Sequence, residues 1–311
     1  MRSSRPRALT PRCALWTTRR KRRFPRRSRS TTGRPSASPR GALVRGERFL
    51  ILPGLLFLLL FFGFPLYSIL ERSLAAPEGL TLTRYARALT APAYLEAWRN
   101  SLVFALLSTL AAAAGGLFVA YWTSGLPARA KGLLMSLYAI PVSLSGLVVA
   151  FGFIVLLGRN GVVNQLLAAL GLPRFDLYSW LGLFVVFPFY NIPLFALALM
   201  PLLETVGRGL MEAARASGAT PLQAWVRVLL PALMPGILAG ASIVFAGMMG
   251  AFGTALALTG FAKNLLSLQI YSLVAESTFD LPQAAALAVV LMASTGLGLY
   301  ALALWERRFR R

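Results

Sequence analysis

Long apolar runs constrain the fold of this chain more than any other feature of its sequence. A helix that crosses the hydrocarbon core of a bilayer needs about 20 consecutive apolar residues. About six runs of that length occur, and none of them contains a charged residue. They lie near residues 49–70, 101–123, 133–157, 180–203, 232–259 and 281–305. Because lipid offers the backbone no hydrogen bonds, this pattern predicts an all-α membrane protein with about six transmembrane helices.

Charge is segregated from these runs. Hydrophobic residues make up 57% of the chain, yet its formal net charge is +22. Residues 1–48 hold much of that charge, including a basic run at 19–23 among Ser, Thr, Pro and Gly. Such a composition cannot bury a core, so we expect a disordered basic tail. It is also typical of translated GC-rich upstream sequence, and we expect the native start near Val44. A basic run can attract anionic lipid or nucleic acid, but we predict a solvated tail and no nucleic acid partner.

Basic residues near the ends of the runs predict the orientation. Short cytoplasmic loops are enriched in Lys and Arg, and both termini of this chain are strongly basic. An even number of spans then places both termini in the cytoplasm, together with the loops 125–131 and 204–231. The loops 72–98, 158–178 and 260–280 are expected outside, the second with a surface helix near 163–170. The outer loop 72–98 departs from the rule, since several arginines lie in or beside it.

Several classes of chemistry lack the residues to carry them. The chain has no histidine and one cysteine, Cys13, which excludes histidine triads, histidine metal sites and internal disulfides. It also has no G-x-x-x-x-G-K-[ST] phosphate loop and no G-x-S-x-G elbow. We therefore predict no catalytic residue, no metal ligand and no cofactor. Proton-coupled transporters place ionisable groups near the midplane of the membrane. The acidic residues of this chain lie instead in loops and at span ends, among them Asp176, Glu204, Glu212, Glu276 and Asp280. This distribution favours a permease that is energised by another subunit.

The loop 204–231 contains a helix–turn–helix pattern. Apolar and small residues recur at helical spacing before Gly218, and a glycine there can adopt the left-handed conformation that ends a helix. Thr220, Pro221 and Gln223 then provide an N-cap, a favourable first position and a capping box. The pattern predicts two short capped helices at the membrane surface, although other helix–turn–helix loops share it.

The same loop resembles the EAA loop of permease subunits in binding-protein-dependent ABC importers, which have a MetI-like fold. The matching residues are Glu212, Ala213, Ala214, Gly218, Leu230 and Pro231. Val228 stands where the family most often has isoleucine, and the glycines of Gly207-Arg208-Gly209 are unusual. The resemblance covers roughly residues 45–311.

This resemblance implies a mechanism and a set of partners. The loop would be a coupling helix that docks on a separate ATP-binding subunit, present in two copies. A second permease subunit, identical or different, and an extracytoplasmic solute-binding protein would complete the importer in the bacterial inner membrane. Glu212 and Arg215 would make polar contacts at the docking surface. Ala213, Ala214 and Gly218 would allow close helix approach.

Polar residues within the runs are candidates for the translocation path. The segment 188–193 contains two prolines together with Tyr190 and Asn191, which are costly in lipid unless they face protein or water. We expect these two residues to line the path with Ser143, Ser145, Ser242 and Thr254. Hydrogen bonding and packing between helices is the alternative for each. The pair Gly236 and Gly240 predicts helix packing and a contribution to a dimer face.

The solute is the least constrained feature. The segments 159–161, 251–254 and 279–282 look most like permeases of the spermidine/putrescine group. Permeases for ferric iron, thiamine, phosphonate, sulfate and molybdate are similar, and the absence of acidic residues in the spans weighs against a polyamine. Two other classes remain open: an ATP-independent secondary transporter or channel, and a structural membrane scaffold.

Overall fold

The structure is a computed structural model that describes residues 52–76, 79–275 and 279–309. The basic tail predicted for 1–48 and the beginning of the first predicted span lie outside the described residues. The chain divides into two units, Met1–Leu56 and Phe57–Arg311, and the architecture given below is that of the second unit.

The described residues of this unit are almost entirely helical. The helices before the loop 204–231 are α1 (Phe64–Leu74), α2 (Thr83–Thr90), α3 (Pro92–Ser124), α4 (Ala128–Ser143), α5 (Gly146–Leu157), α6 (Val162–Ala169) and α7 (Trp180–Leu202). Those within and after it are α8 (Arg208–Ala216), α9 (Pro221–Ala224), α10 (Leu230–Met249), α11 (Gly253–Thr259), α12 (Leu266–Ala275) and α13 (Leu281–Phe309). Three π-helical turns lie at Leu59–Gly63, Leu203–Gly207 and Trp225–Leu229. The strands β1 (Ala75–Ala76) and β2 (Gly79–Leu80) pair antiparallel.

Six stretches of the described chain are long and apolar enough to cross a membrane, which confirms the predicted fold class. They are Leu52–Leu74, Pro92–Ser124, Gly146–Ala169, Trp180–Gly207, Pro221–Met249 and Leu281–Phe309. Several of these stretches extend beyond the predicted runs because amphipathic helical turns continue past the apolar segment. Helix α6 confirms that the segment near 163–170 is helical, and it ends the apolar stretch Gly146–Ala169. In contrast, α12 occupies a segment for which only a loop was expected.

Two of the predicted runs are not single helices. The run 133–157 is interrupted because α4 ends at Ser143, just after Pro141, and the next two residues are extended. Ser145 then caps α5 by accepting a hydrogen bond from the amide of Val148. The run 232–259 is likewise wrong as one span, since α10 ends at Met249 and α11 begins at Gly253. Proline removes a helical donor and glycine has low helix propensity, so both breaks have local causes.

Helix α7 is the central element of the bundle, and α3, α4 and α10 pack around it. The close approach of α3 and α10 to α7 depends on glycines that face the side chains of α7. A Cβ atom on Gly116 would lie 2.7 Å from the Cβ of Phe195, and one on Gly240 would lie 3.0 Å from Cε2 of the same ring. A Cβ atom on Gly236 would lie 2.6 Å from Leu202. The Gly236–Gly240 pair therefore packs against α7 of its own chain, which confirms the predicted helix packing, and its contribution to a dimer face stays a prediction.

We expect Gly116→Val to destabilise this packing by about 1–3 kcal/mol, because added volume in a filled interior forces neighbours apart. Phe195 is almost fully buried and cannot yield into solvent. The measurement is thermal unfolding of the detergent-solubilised chain. Gly152→Val is the matched control, since no atom lies within 4 Å of a Cβ built on this helical glycine. Equal melting temperatures for the two variants would contradict this account of the α3–α7 contact.

Candidate functional site

The segment 204–231, called here the coupling segment, is formed by the bent ends of two long helices. Helix α7 continues through the π-helical turn Leu203–Gly207 into α8. Helix α9 continues through the π-helical turn Trp225–Leu229 into α10. The predicted pair of separate surface helices is thus wrong in one respect, because each is continuous with a span. A displacement at the tip can therefore be transmitted directly along both helices.

The turn between α8 and α9 has the predicted geometry. Gly218 has φ +85°, and its amide donates to the carbonyl of Arg215 at 2.9 Å. The next amide, of Ala219, donates to the carbonyl of Ala214 at 3.1 Å, which completes a Schellman motif. Thr220 and Gln223 then form a reciprocal capping box, with bonds of 3.3 and 3.1 Å. These bonds satisfy backbone groups on both sides and hold the tip in one conformation.

The residues that match the EAA pattern differ in exposure. Glu212, Ala213, Gly218 and Pro231 are exposed, as is the neighbouring Arg215, and Leu230 is half-buried. Ala214 is only 9% exposed, so its small side chain packs within its own chain and is largely unavailable to a partner.

Two apolar residues of the coupling segment were not singled out from the sequence. Leu222 is 73% exposed and Val226 is 47% exposed. Between them Ala224 is fully buried, and the ring of Trp225 packs against that of Tyr121 at a centroid distance of 6.2 Å. The sequence signal that could have identified them is the presence of apolar residues at the tip of a charged loop. Their exposure in the structure gives the tip an apolar contact surface.

A groove of about 730 Å³ lies beside α8. Phe118, Tyr121 and Trp122 of α3 form one side, and Glu212 and Arg215 of α8 form the other. A carboxylate, a guanidinium and aromatic rings thus line one concavity. This combination can accept a polar side chain from another protein while it shields part of the contact from water.

One ion pair anchors the base of the coupling segment. The Nζ atom of Lys131, at the beginning of α4, lies 2.9 Å from Oε1 of Glu204 in the π-helical turn. Both groups are partly exposed, so the pair contributes about 1 kcal/mol or less. Its role is positional, because it ties α4 to the junction between α7 and α8.

The structure brings some of the predicted path residues together. The side chain of Tyr190 on α7 lies near that of Thr254 on α11, and the beginning of α5 at Gly146 abuts Thr254. Asn191 is 4% exposed and donates to the carbonyl of Phe187 at 3.0 Å, with the sulfur of Met248 at 3.1 Å. The junction of α5, α7 and α11 is therefore a polar cluster inside the bundle.

The three predicted serines do not join this cluster through hydrogen bonds of their own. Ser143 donates to Ile140 and Ser242 donates to Leu238, each within its own helix. Ser145 is used as the cap of α5. These bonds agree with the alternative that the serines satisfy local backbone groups. In the described ranges, no group of three or more Cys, Asp or Glu side chains is arranged to hold a metal ion.

Comparison with known sequences places the chain among transport proteins. Residues 112–311 match the family described as binding-protein-dependent transport system inner membrane component. The sulfate transport system permease protein CysT of Salmonella typhimurium is 31% identical over 242 residues, 75% of this chain and 83% of that one. The spermidine/putrescine permease PotB of Escherichia coli is 32% identical over 220 residues, 70% and 79% of the two chains. The molybdenum permease ModB of Azotobacter vinelandii is 31% identical over 166 residues, 53% and 73%.

Comparison with solved structures shows the same fold. A bacterial alginate ABC transporter, in complex with a periplasmic protein that holds an alginate pentasaccharide, superposes with a TM-score of 0.70 at 18% identity. That likeness covers 88% of this chain and 95% of the other. The inward-facing MetNI methionine ABC transporter gives a TM-score of 0.52 at 20% identity, over 70% and 96% of the two chains. At these identities the likeness concerns the fold, and it confirms the expected MetI-like architecture.

Proposed function

This chain belongs to the family of inner membrane components of binding-protein-dependent transport systems, and we propose that it forms one half of the translocation path of an ATP-driven importer. Members of this family are non-catalytic permease subunits of the inner membrane. The proposal adds that this chain receives its driving force at the coupling segment, from an ATPase encoded as a separate protein.

The geometry of the coupling segment is the observation that carries this proposal. A receiver of force must be rigid, must offer a surface to its partner and must connect to the moving parts. The capped turn at Gly218 supplies rigidity, Glu212, Arg215 and Leu222 supply the surface, and α8 and α9 continue into two spans. A flexible loop between the spans would provide none of these three properties.

The proposed assembly has two ATP-binding subunits, a second permease and an extracytoplasmic solute-binding protein. The alginate transporter structure, which includes a periplasmic protein, supports this last kind of partner. The distribution of basic residues supports a cytoplasmic coupling segment. Arg129 and Lys131 lie beside it, and Arg307 and Arg308 end α13 on the same side of the bundle. Both termini are accordingly proposed to be cytoplasmic.

The identity of the solute is less constrained than the class of transporter. A polyamine was the sequence-based expectation, but relatives named for sulfate, polyamine and molybdate transport share similar identity with this chain. The apolar parts of the described spans carry no carboxylate to pair with the ammonium groups of a polyamine. Iron, thiamine and phosphonate remain alternatives within the same class.

Reconstitution tests the proposed function. The full chain is co-expressed with an ATPase, a second permease and a binding protein from the same organism, and uptake into proteoliposomes is measured. We expect an ATPase to co-purify and uptake to require ATP and to stop with vanadate. Uptake that needs no ATP and resists vanadate would instead indicate a secondary transporter. Recovery of neither uptake nor an ATPase would favour a structural scaffold.

A further inference from the structure

A concave site lies at the end of the bundle opposite the coupling segment. It has a volume of about 340 Å³, and its lining includes Arg99 and Asn100 of α3 and Trp180 at the beginning of α7. Arg99 precedes Trp122, beside the coupling segment, by 23 residues of one helix, which corresponds to about 35 Å. The two sites are therefore separated by roughly the thickness of a bilayer core.

Aromatic rings form a packed floor beneath this concavity. The ring centroid of Phe104 lies 6.0 Å from that of Trp180 and 4.9 Å from that of Phe184. Phe104 is also in edge contact with Phe187, which is fully buried. Since these rings interlock between α3 and α7, the indole of Trp180 is held in place as a fixed wall of the site.

A second cation reaches the same indole from the loop after α11. The Nζ atom of Lys263 lies 5.6 Å from the ring centroid of Trp180. Hydrogen bonds hold this loop against α3: the Asn100 side chain donates to the carbonyl of Asn264 at 3.1 Å, and the Asn264 side chain donates to the carbonyl of Ala93 at 2.8 Å. Next along the chain, the amide of Leu266 donates to the hydroxyl of Ser101 at 2.8 Å. Lys263 thus emerges from a loop whose position is fixed by α3.

In the described ranges, neither Arg99 nor Lys263 forms a salt bridge with a carboxylate. A concave site with low-dielectric walls focuses the positive potential of these two side chains.

We propose that Arg99, Lys263 and Trp180 form an anion-binding site at the outer mouth of the path, and that the transported solute is a small anion. The proposal rests on the proposed function and deepens it, since it names the class of solute. Two cations with no acidic partner among the described residues, beside a rigid aromatic wall, attract a tetrahedral oxyanion and repel a polyamine. A site of about 340 Å³ is large enough for such an ion.

The first test compares solutes in the reconstituted importer. Uptake is measured for the anions sulfate, molybdate and methylphosphonate, and for the cations spermidine, putrescine and thiamine. We expect ATP-dependent uptake of at least one anion and of none of the cations. Uptake confined to cations would overturn the anion site while the permease function stands. ATP-independent uptake would overturn the proposed function itself.

The second test removes the two charges. In Arg99→Gln/Lys263→Gln, we expect about fivefold less anion transported per ATP hydrolysed, the size of effect given by one charge pair at contact in water. Raising ionic strength is expected to lower the wild-type ratio and to leave the double variant insensitive, because salt screens exposed charges. Arg99→Lys/Lys263→Arg keeps both charges and is expected to retain most of the ratio.

Arg174→Gln is the matched control, since it removes an exposed cation at the same end of the bundle that does not line the concavity. If the amount of anion transported per ATP hydrolysed falls as much in Arg174→Gln as in the double variant, only the overall charge matters. That result would overturn the assigned site. If transport and ATP hydrolysis in the double variant fall together, so that the ratio is kept, the two cations serve docking of the binding protein and the anion site is wrong.

Discussion

Glu212→Lys is expected to abolish ATP-driven uptake while the chain remains in the membrane. The carboxylate is exposed at the rim of the groove formed by α3 and α8, beside Arg215. At an interface, the loss of one partner from a close charge pair costs about 2–5 kcal/mol, and reversal of the charge adds repulsion. We therefore expect retention of the ATPase on the purified permease to fall by at least about thirtyfold.

Co-purification of the ATPase and ATP-dependent uptake are the two measurements for this variant. Glu71→Lys is the matched control, since it reverses an exposed carboxylate at the other end of the bundle. It is expected to keep both the ATPase and uptake. Normal uptake by Glu212→Lys would contradict the docking role, as would an equal loss in the control.

Gly218→Val is expected to produce a comparable loss through the backbone. A residue with a Cβ atom at φ +85° is strained, by about 1–2 kcal/mol for an ordinary residue and by more for a β-branched one. Relief of that strain breaks the two bonds of the Schellman motif and reorients α9 together with Leu222. We expect ATPase retention to fall by at least about tenfold, because docking then requires the strained turn to re-form.

Two variants separate this effect from general destabilisation. Gly218→Asn is expected to keep most of the activity, since asparagine tolerates the left-handed region. Gly171→Val introduces similar strain at φ +69°, also in open space, but near the opposite end of the bundle. It is expected to leave ATPase retention intact. Loss of retention in Gly171→Val equal to that in Gly218→Val would remove the specific role of the turn.

The apolar spans and the turn at Gly218 could be predicted from the sequence because both depend on local chemistry. Uninterrupted apolar runs allow few structures in lipid, and Gly218, Thr220 and Gln223 encode their caps within a few residues. The breaks after Ser143 and Met249 were missed because apolar composition alone does not distinguish one helix from two. Their local signals, Pro141 and the glycines of 250–253, are also tolerated inside transmembrane helices.

Tertiary contacts account for the other differences. Gly236 and Gly240 fit a motif for packing between any two helices, and only the fold shows that the partner helix is α7. The π-helical turns on both sides of the coupling segment have no simple sequence signature, so the continuity of α8 and α9 with the spans was not foreseen. The exposure of Leu222 depends on this continuity, because it places α9 at the tip of the coupling segment.

Photo-crosslinking from position 222 tests the central claim most directly. Leu222, at the tip, is replaced by p-benzoylphenylalanine in the assembled importer, and adducts are identified by mass spectrometry. The matched position is Leu89 on α2, which is 60% exposed at the opposite end. The account predicts an adduct between position 222 and the ATPase, and no ATPase adduct from position 89. An importer that takes up solute with no ATPase adduct at position 222, or with equal adducts at both positions, would contradict it.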